Sequence, residues 1–192
     1  MVRWEPGAKE RLQQAAIALF LERGYEQTTV QDIAARAGLT ERTFFRHFTD
    51  KRELLVAGQA VLSDLLAQGI AEAPPGATPL EAVEGGLRRA ATAMGPVNHD
   101  LGPRIAAVVA TSAELQERSL LKEAGLATAM TAALVDRDVA ETPARLAAEL
   151  GVLAFSRGFA VWSADEQGDA DALARAAVGA LEDLRAAAAA LG

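Results

Sequence analysis

No cysteine occurs among the 192 residues. That excludes a disulfide framework and any thiolate site, catalytic or metal-binding. Histidine occurs only at positions 47 and 99, each too isolated to form a metal set with nearby carboxylates. No metal and no cofactor are therefore expected. Aromatic residues make up 5% of the chain and β-branched runs are nearly missing. Ala and Leu dominate instead, a composition that favours helix almost throughout. No apolar run is long enough to cross a bilayer, and the N-terminus lacks a basic start followed by an apolar core. A cytoplasmic chain with no membrane partner is expected. There is no P-loop and no Gly-x-Gly-x-x-Gly following a strand. Ser119-Leu120-Leu121-Lys122 matches the Ser-x-x-Lys of some hydrolases, but their other motifs are missing. No enzymatic role is expected.

Net charge is −7, and it is unevenly spread. Residues 1–52 carry nine Lys/Arg and seven Asp/Glu; the remainder carries ten and nineteen. Phosphate attraction is local, acting over a Debye length of about 8 Å. An acidic distal region thus leaves docking of the N-terminal part on a polyanion open, while suppressing non-specific binding.

Thr29 to Lys51 holds the densest pattern. Val30, Ile33, Ala34 and Ala37 recur at i, i+3, i+4, i+7, one apolar stripe on a short helix. Thr29 precedes it as N-cap, and Gly38 follows as the residue that accepts positive φ. Leu39 is expected as a buried turn residue, and Thr40 as the cap of a second helix, Glu41 to Phe48. Two short helices joined by a tight glycine turn form a helix-turn-helix pattern. On the second helix Phe44 and Phe48 face inward. Arg42, Thr43, Arg46 and His47 face outward, and Phe45 lies at the boundary. Guanidinium groups and a hydroxyl with no carboxylate among them suit a DNA major groove; the alternative is a merely solvated face. Asp50 is expected to cap a further helix from Lys51, a natural phosphate clamp.

The string AAIALFLERGYEQTTVQDIAARAGLTERTFFRHFTDKRELL, within Leu12 to Leu55, resembles the DNA-binding domain of the TetR family of bacterial regulators. The resembling features are Phe20 to Tyr25, Thr28 to Ala34, Ala37 to Thr40, His47-Phe48, and Lys51 with Glu53 to Leu55. The resemblance implies DNA contacts from Thr29, Thr40, Arg42, Thr43, Phe45, Arg46, His47 and Lys51. It implies a homodimer on a palindromic double-stranded operator, released by a small-molecule effector. The family usually carries Tyr where this chain has Phe45, so the phosphate bond often made by that hydroxyl is missing. The Thr-Phe-Phe-Arg-His-Phe string is similar to an actinobacterial subset, some of whose members bind acyl-CoA-like ligands.

The expected fold is all-α, with about nine helices. Residues 1–50 form a three-helix DNA-binding domain, and 51–192 a larger helical ligand-binding and dimerisation domain. Residues 1–7, Arg3 included, are expected as a loose arm. Helix four should run from Lys51 to about Glu72, its apolar face including Leu54, Leu55, Gly58 and Leu62. Thr78-Pro79 opens the next helix. Asn98 to Gly102 is expected as a polar loop, before a helix from Pro103. The last two helices are expected at 143–164 and 169–191. Their stripes, Leu146, Leu150 and Leu153 on one and Leu173, Ala177, Leu181 and Leu184 on the other, either pair with a second subunit or close the core; the resemblance implies pairing. Met94, Met130, Phe155, Phe159 and Trp162 are candidate lining for a lipophilic effector. The last three share one face at i, i+4, i+7, which fits core as well as pocket. His99 and Arg104 either meet an anionic head group or are solvated loop residues.

Overall fold

Short polar side chains and glycines set where the helices begin and end. The computed structural model describes residues 7–56, 58–165 and 170–191. The expected arm (Arg3 included) lies outside them up to residue 6, as do the side chain of Leu55 and the expected helix start at Asp169. Among the described residues the chain is all-α: α1 Ala8–Arg23, α2 Val30–Arg36, α3 Glu41–His47, α4 Glu53–Val56, α5 Gln59–Ala71, α6 Pro79–Thr92, α7 Pro96–Val109, α8 Ala113–Val135, α9 Glu141–Ala164 and α10 Ala170–Ala189. These ten segments exceed the expected nine because helix four is not continuous. Gly58 has φ 94° and ψ −1°, left-handed values that cannot continue a right-handed helix and that glycine adopts without strain.

α6 starts as the sequence predicts. The Thr78 hydroxyl accepts from the Glu81 N–H, the Glu81 carboxylate accepts from the Thr78 N–H, and Pro79 opens the first turn. α7 does not. Asn98 to Gly102 is helical, with Pro103 inside the same helix. Proline removes one helical hydrogen bond, but Leu101 and Gly102 are buried here, and their packing outweighs that loss. None of the described helices is long and apolar enough to cross a membrane.

Two compact units make up the chain: residues 1–57 with 104–120, and 58–103 with 121–192. The sequence-based division after residue 50 differs from this in two ways. The first unit extends past α3 to α4, and it takes in a distant segment. In the first unit Leu12, Ile17, Ile33, Phe44 and Leu54 are fully buried. In the second, Leu66, Ile70, Val83, Leu87, Met130, Leu134 and Ala148 form the centre of the core.

Candidate nucleic-acid interface

α2 and α3 owe their geometry to local chemistry. Thr29 and Asp32 form a reciprocal capping box: the Asp32 N–H donates to the Thr29 hydroxyl at 3.1 Å, and the Thr29 N–H donates to the Asp32 carboxylate at 3.0 Å. Gly38 has φ 66°, and a Cβ there would sit 2.9 Å from the Arg11 guanidinium. The positive φ is what demands glycine at the turn; a Cβ would in addition push the Arg11 side chain aside. Arg11 donates to the Ala37 carbonyl, an orphan acceptor at the end of α2. Thr40 caps α3 by accepting from the Thr43 N–H at 3.2 Å. Leu39 is half-buried rather than fully covered.

Arg23 pairs with Asp32 at 2.8 Å, Arg36 with Glu22 at 2.7 Å, and Arg52 with both Asp50 and, at 3.1 Å, Glu114. The Arg36 hydrogen bond holds the Glu22 carboxyl below its ordinary range, and the Arg52 bond does the same for Asp50. Asp50 also caps the turn into α4 by accepting from the Arg52 and Glu53 N–H groups. Arg42 and Arg46, in contrast, have no side-chain hydrogen bond or ion pair among the described residues, and both are exposed. With Thr40, Thr43 and Phe45 they line a shallow open depression on α3.

The two residues flanking this face part company. Phe45 is 55% exposed, its ring edge-to-face with buried Phe44 at 5.4 Å between centroids. His47 is half-buried, and its Nε2 is buried without a hydrogen-bond partner among the described residues. The outward placement of His47 is therefore corrected: at about 240° around α3 from Glu41 it lies as near the packed face as Phe45 does, and Nε2 is turned away from solvent. Lys51 also has an unforeseen duty. Its ammonium donates to the carbonyls of Tyr25 at 2.8 Å and Thr28 at 3.1 Å, and sits 4.1 Å over the Tyr25 ring. One N–H of the three remains for a phosphate. Sequence reasoning missed Arg11 and this use of Lys51 because the acceptors lie 26 and 23 residues away, beyond any local pattern.

Hydrogen bonds from the Thr29 hydroxyl and N–H, then from Arg23, bring the Asp32 carboxyl down from 3.8 to about 2. A carboxyl lowered on folding stabilises the fold above its unfolded pKa, and that contribution disappears as pH falls through the folded value. Between about pH 4 and pH 2 the parent is therefore expected to lose stability that Asp32→Asn never had. Acid unfolding followed by circular dichroism checks this, and parallel curves for the two chains would contradict it.

In the second unit the expected effector residues are largely packed against one another. Met130, Phe155 and Trp162 are buried, while Met94 and Phe159 are partly covered. The Phe155 and Phe159 rings stack at 6.2 Å, and Phe159 meets Trp162 at 5.4 Å. His99 is not a loop residue. It lies in α7, its Nε2 2.7 Å from the Asp165 carbonyl and its ring edge-to-face with Trp162 at 4.9 Å. Arg104 is exposed on the same helix.

The expected dimer residues divide as well. Leu146 and Leu153 are exposed on α9, at 61% and 42%, and Val161 extends their face at 66%. Leu150 is partly buried against the core. Leu173, Ala177 and Leu181 on α10 are buried within the protomer and Leu184 packs on the same core, so as contacts to a partner they are corrected. They form the face that α10 turns to its own subunit. The exposed positions of α10 up to its last turn are Asp171, Arg175, Glu182, Asp183 and Arg185, with Gly179 half-buried among them. These are small or charged residues, which a search for apolar stripes passes over.

Two capped helices about a glycine turn, the second with unpaired guanidinium groups outward, define a helix-turn-helix protein of the all-helical class. Residues 12–57 match the model of the tetR family of bacterial regulatory proteins. The helix-turn-helix regulator TcmR of Streptomyces glaucescens is 36% identical over 80 residues, 42% of this chain. The match spans 35% of TcmR's length, and less of other curated relatives. Two solved structures show the fold over nearly the whole chain. SmeT, the repressor of the Stenotrophomonas maltophilia efflux pump SmeDEF, aligns over 93% of this chain and 89% of its own at TM-score 0.54 and 22% identity. FadR of Bacillus subtilis, solved with stearoyl-CoA, aligns over 90% and 95% at TM-score 0.53 and 18% identity.

Proposed function

We propose that this chain is a ligand-responsive transcriptional repressor that binds a palindromic operator as a homodimer. The observation that carries the reading is the exposed, unpaired Arg42/Thr43/Phe45/Arg46 face on the second helix of a helix-turn-helix. Arg presents two N–H donors to guanine O6 and N7, while Thr29, Thr40 and the remaining Lys51 N–H are set at phosphates. The second subunit is proposed to dock on the α9 face of Leu146, Leu153 and Val161. Such a pair places two α3 helices for successive major grooves, about 34–36 Å apart or somewhat more.

The effector is proposed to be lipophilic and to enter beside the partly covered Met94, His99 and Phe159, next to buried Trp162. Two of the solved relatives support that chemistry: FadR was solved with stearoyl-CoA and SmeT with triclosan. By linkage, such a ligand must bind the DNA-free conformation more tightly than the DNA-bound one.

Selection of duplexes from a random pool at about physiological salt tests the reading. An inverted repeat is expected, bound with an affinity that falls as salt rises. A Leu146→Arg/Leu153→Arg variant is expected to sediment as a monomer and to lose the repeat. Failure of the parent to enrich any sequence would leave a helical small-molecule-binding module as the better account.

A further inference from the structure

The unpaired cations on α3 explain attraction to DNA, but Phe45 needs its own account. An aromatic ring that is 55% exposed loses hydrophobic stabilisation for as long as it stays in water. It also rests on the core at one edge. Its neighbour Phe44 is fully buried, and the edge-to-face contact between the two rings, at 5.4 Å and 80°, sets the direction in which Phe45 points. Arg42 and Arg46 line the same depression, and neither has a side-chain partner among the described residues. An apolar surface beside two exposed guanidinium groups fits a ligand that presents an apolar group next to anionic or acceptor-rich ones. In the major groove only thymine presents an apolar group, its C5-methyl, among the polar edges and phosphates.

We propose that Phe45 is a specificity-determining residue that reads a thymine C5-methyl in each half-site. Phenylalanine has no hydroxyl to give a phosphate, so its contribution is sequence information rather than general affinity. This inference rests on the operator-binding reading above. Arg42 and Arg46 bring the helix to the groove, and Phe45 then rejects cytosine, whose edge offers an amino group and no methyl.

The experiment uses the full chain and the duplex enriched in the selection, with each thymine replaced in turn by deoxyuridine. That exchange removes one methyl and leaves every hydrogen-bonding group in place. At one thymine per half-site the parent is expected to lose about fourfold in affinity, the transfer value of one buried carbon. Phe45→Ala is expected to bind the thymine and deoxyuridine duplexes equally. Phe45→Leu, which keeps an apolar surface, is expected to retain part of the discrimination. The salt dependence of Phe45→Ala should match the parent's, because no phosphate contact is removed.

A methyl effect of equal size in the parent and in Phe45→Ala overturns the proposal. So does an enriched sequence with no methyl-sensitive thymine, or a reduced salt slope in Phe45→Ala, which would mark Phe45 as a prop for the whole helix. In each of those cases the operator-binding reading survives. If no sequence is enriched at all, both readings fall together.

Discussion

Replacing Arg42 and Arg46 together with alanine is expected to weaken operator binding by on the order of a hundredfold or more, while leaving the melting temperature unchanged. A good bidentate Arg contact contributes about 1–3 kcal/mol of discrimination, and neither side chain is occupied among the described residues. Exposed side chains without partners contribute within about 0.5 kcal/mol to folding, so stability and binding separate cleanly here. The single variants then divide the labour. An arginine that reads a base should, on removal, relax specificity at one operator position. An arginine on a phosphate should weaken all sequences alike and lower the salt slope by about one. Fluorescence anisotropy on the selected duplex and its point variants distinguishes the cases. A double variant that binds like the parent would remove the basis of the DNA-binding reading.

Phe44→Ala should give the largest loss of stability. Its side chain is fully buried and touches the rings of both Phe45 and Phe48. Truncating a buried phenylalanine costs about 3–5 kcal/mol through lost transfer energy and the cavity left behind. That is a large share of the roughly 5–15 kcal/mol that holds a domain together. Urea unfolding is expected to show an early transition in the first unit, with operator binding lost through unfolding rather than through any missing contact. Phe44→Leu keeps most of the volume and is expected to cost much less. A loss below about 1 kcal/mol for Phe44→Ala would mean that the cluster beneath α3 is not packed as described.

The contrast between these two neighbouring sites shows which parts of the molecule were legible in the sequence. The Thr29, Thr40 and Thr78 caps, the Gly38 turn and the inward Phe44/Phe48 pair are signals between residues a few positions apart, and each appears in the structure where the pattern put it; the helix expected from Lys51 instead begins at Glu53. Side chains committed to distant backbone were not legible. Lys51 reads as a free cation until Tyr25 and Thr28 are seen beneath it, and His47 reads as an outward group until its Nε2 is found buried. Asn98 to Gly102 reads as a loop because Gly102-Pro103 is a local breaker, yet burial of Leu101 and Gly102 keeps α7 helical through it. The leucines of α10 show another limit. Periodicity says that Leu173 and Leu181 are covered, but not whether the cover is the same subunit or another. Burial within the protomer decides that for Leu173 and Leu181.

Because residues 104–120 belong with 1–57, the polypeptide passes between the two units three times, not once. The unit that carries the recognition helix is thus not a detachable cassette. A fragment ending at residue 57 would lack Glu114, the second partner of Arg52, and with it the whole of the distant segment. A chimera that grafts a foreign effector domain after α4 would inherit the same gap. Exchange of operator specificity between such proteins must therefore proceed by substitution on the surface of α3, or by transplanting two separate stretches at once.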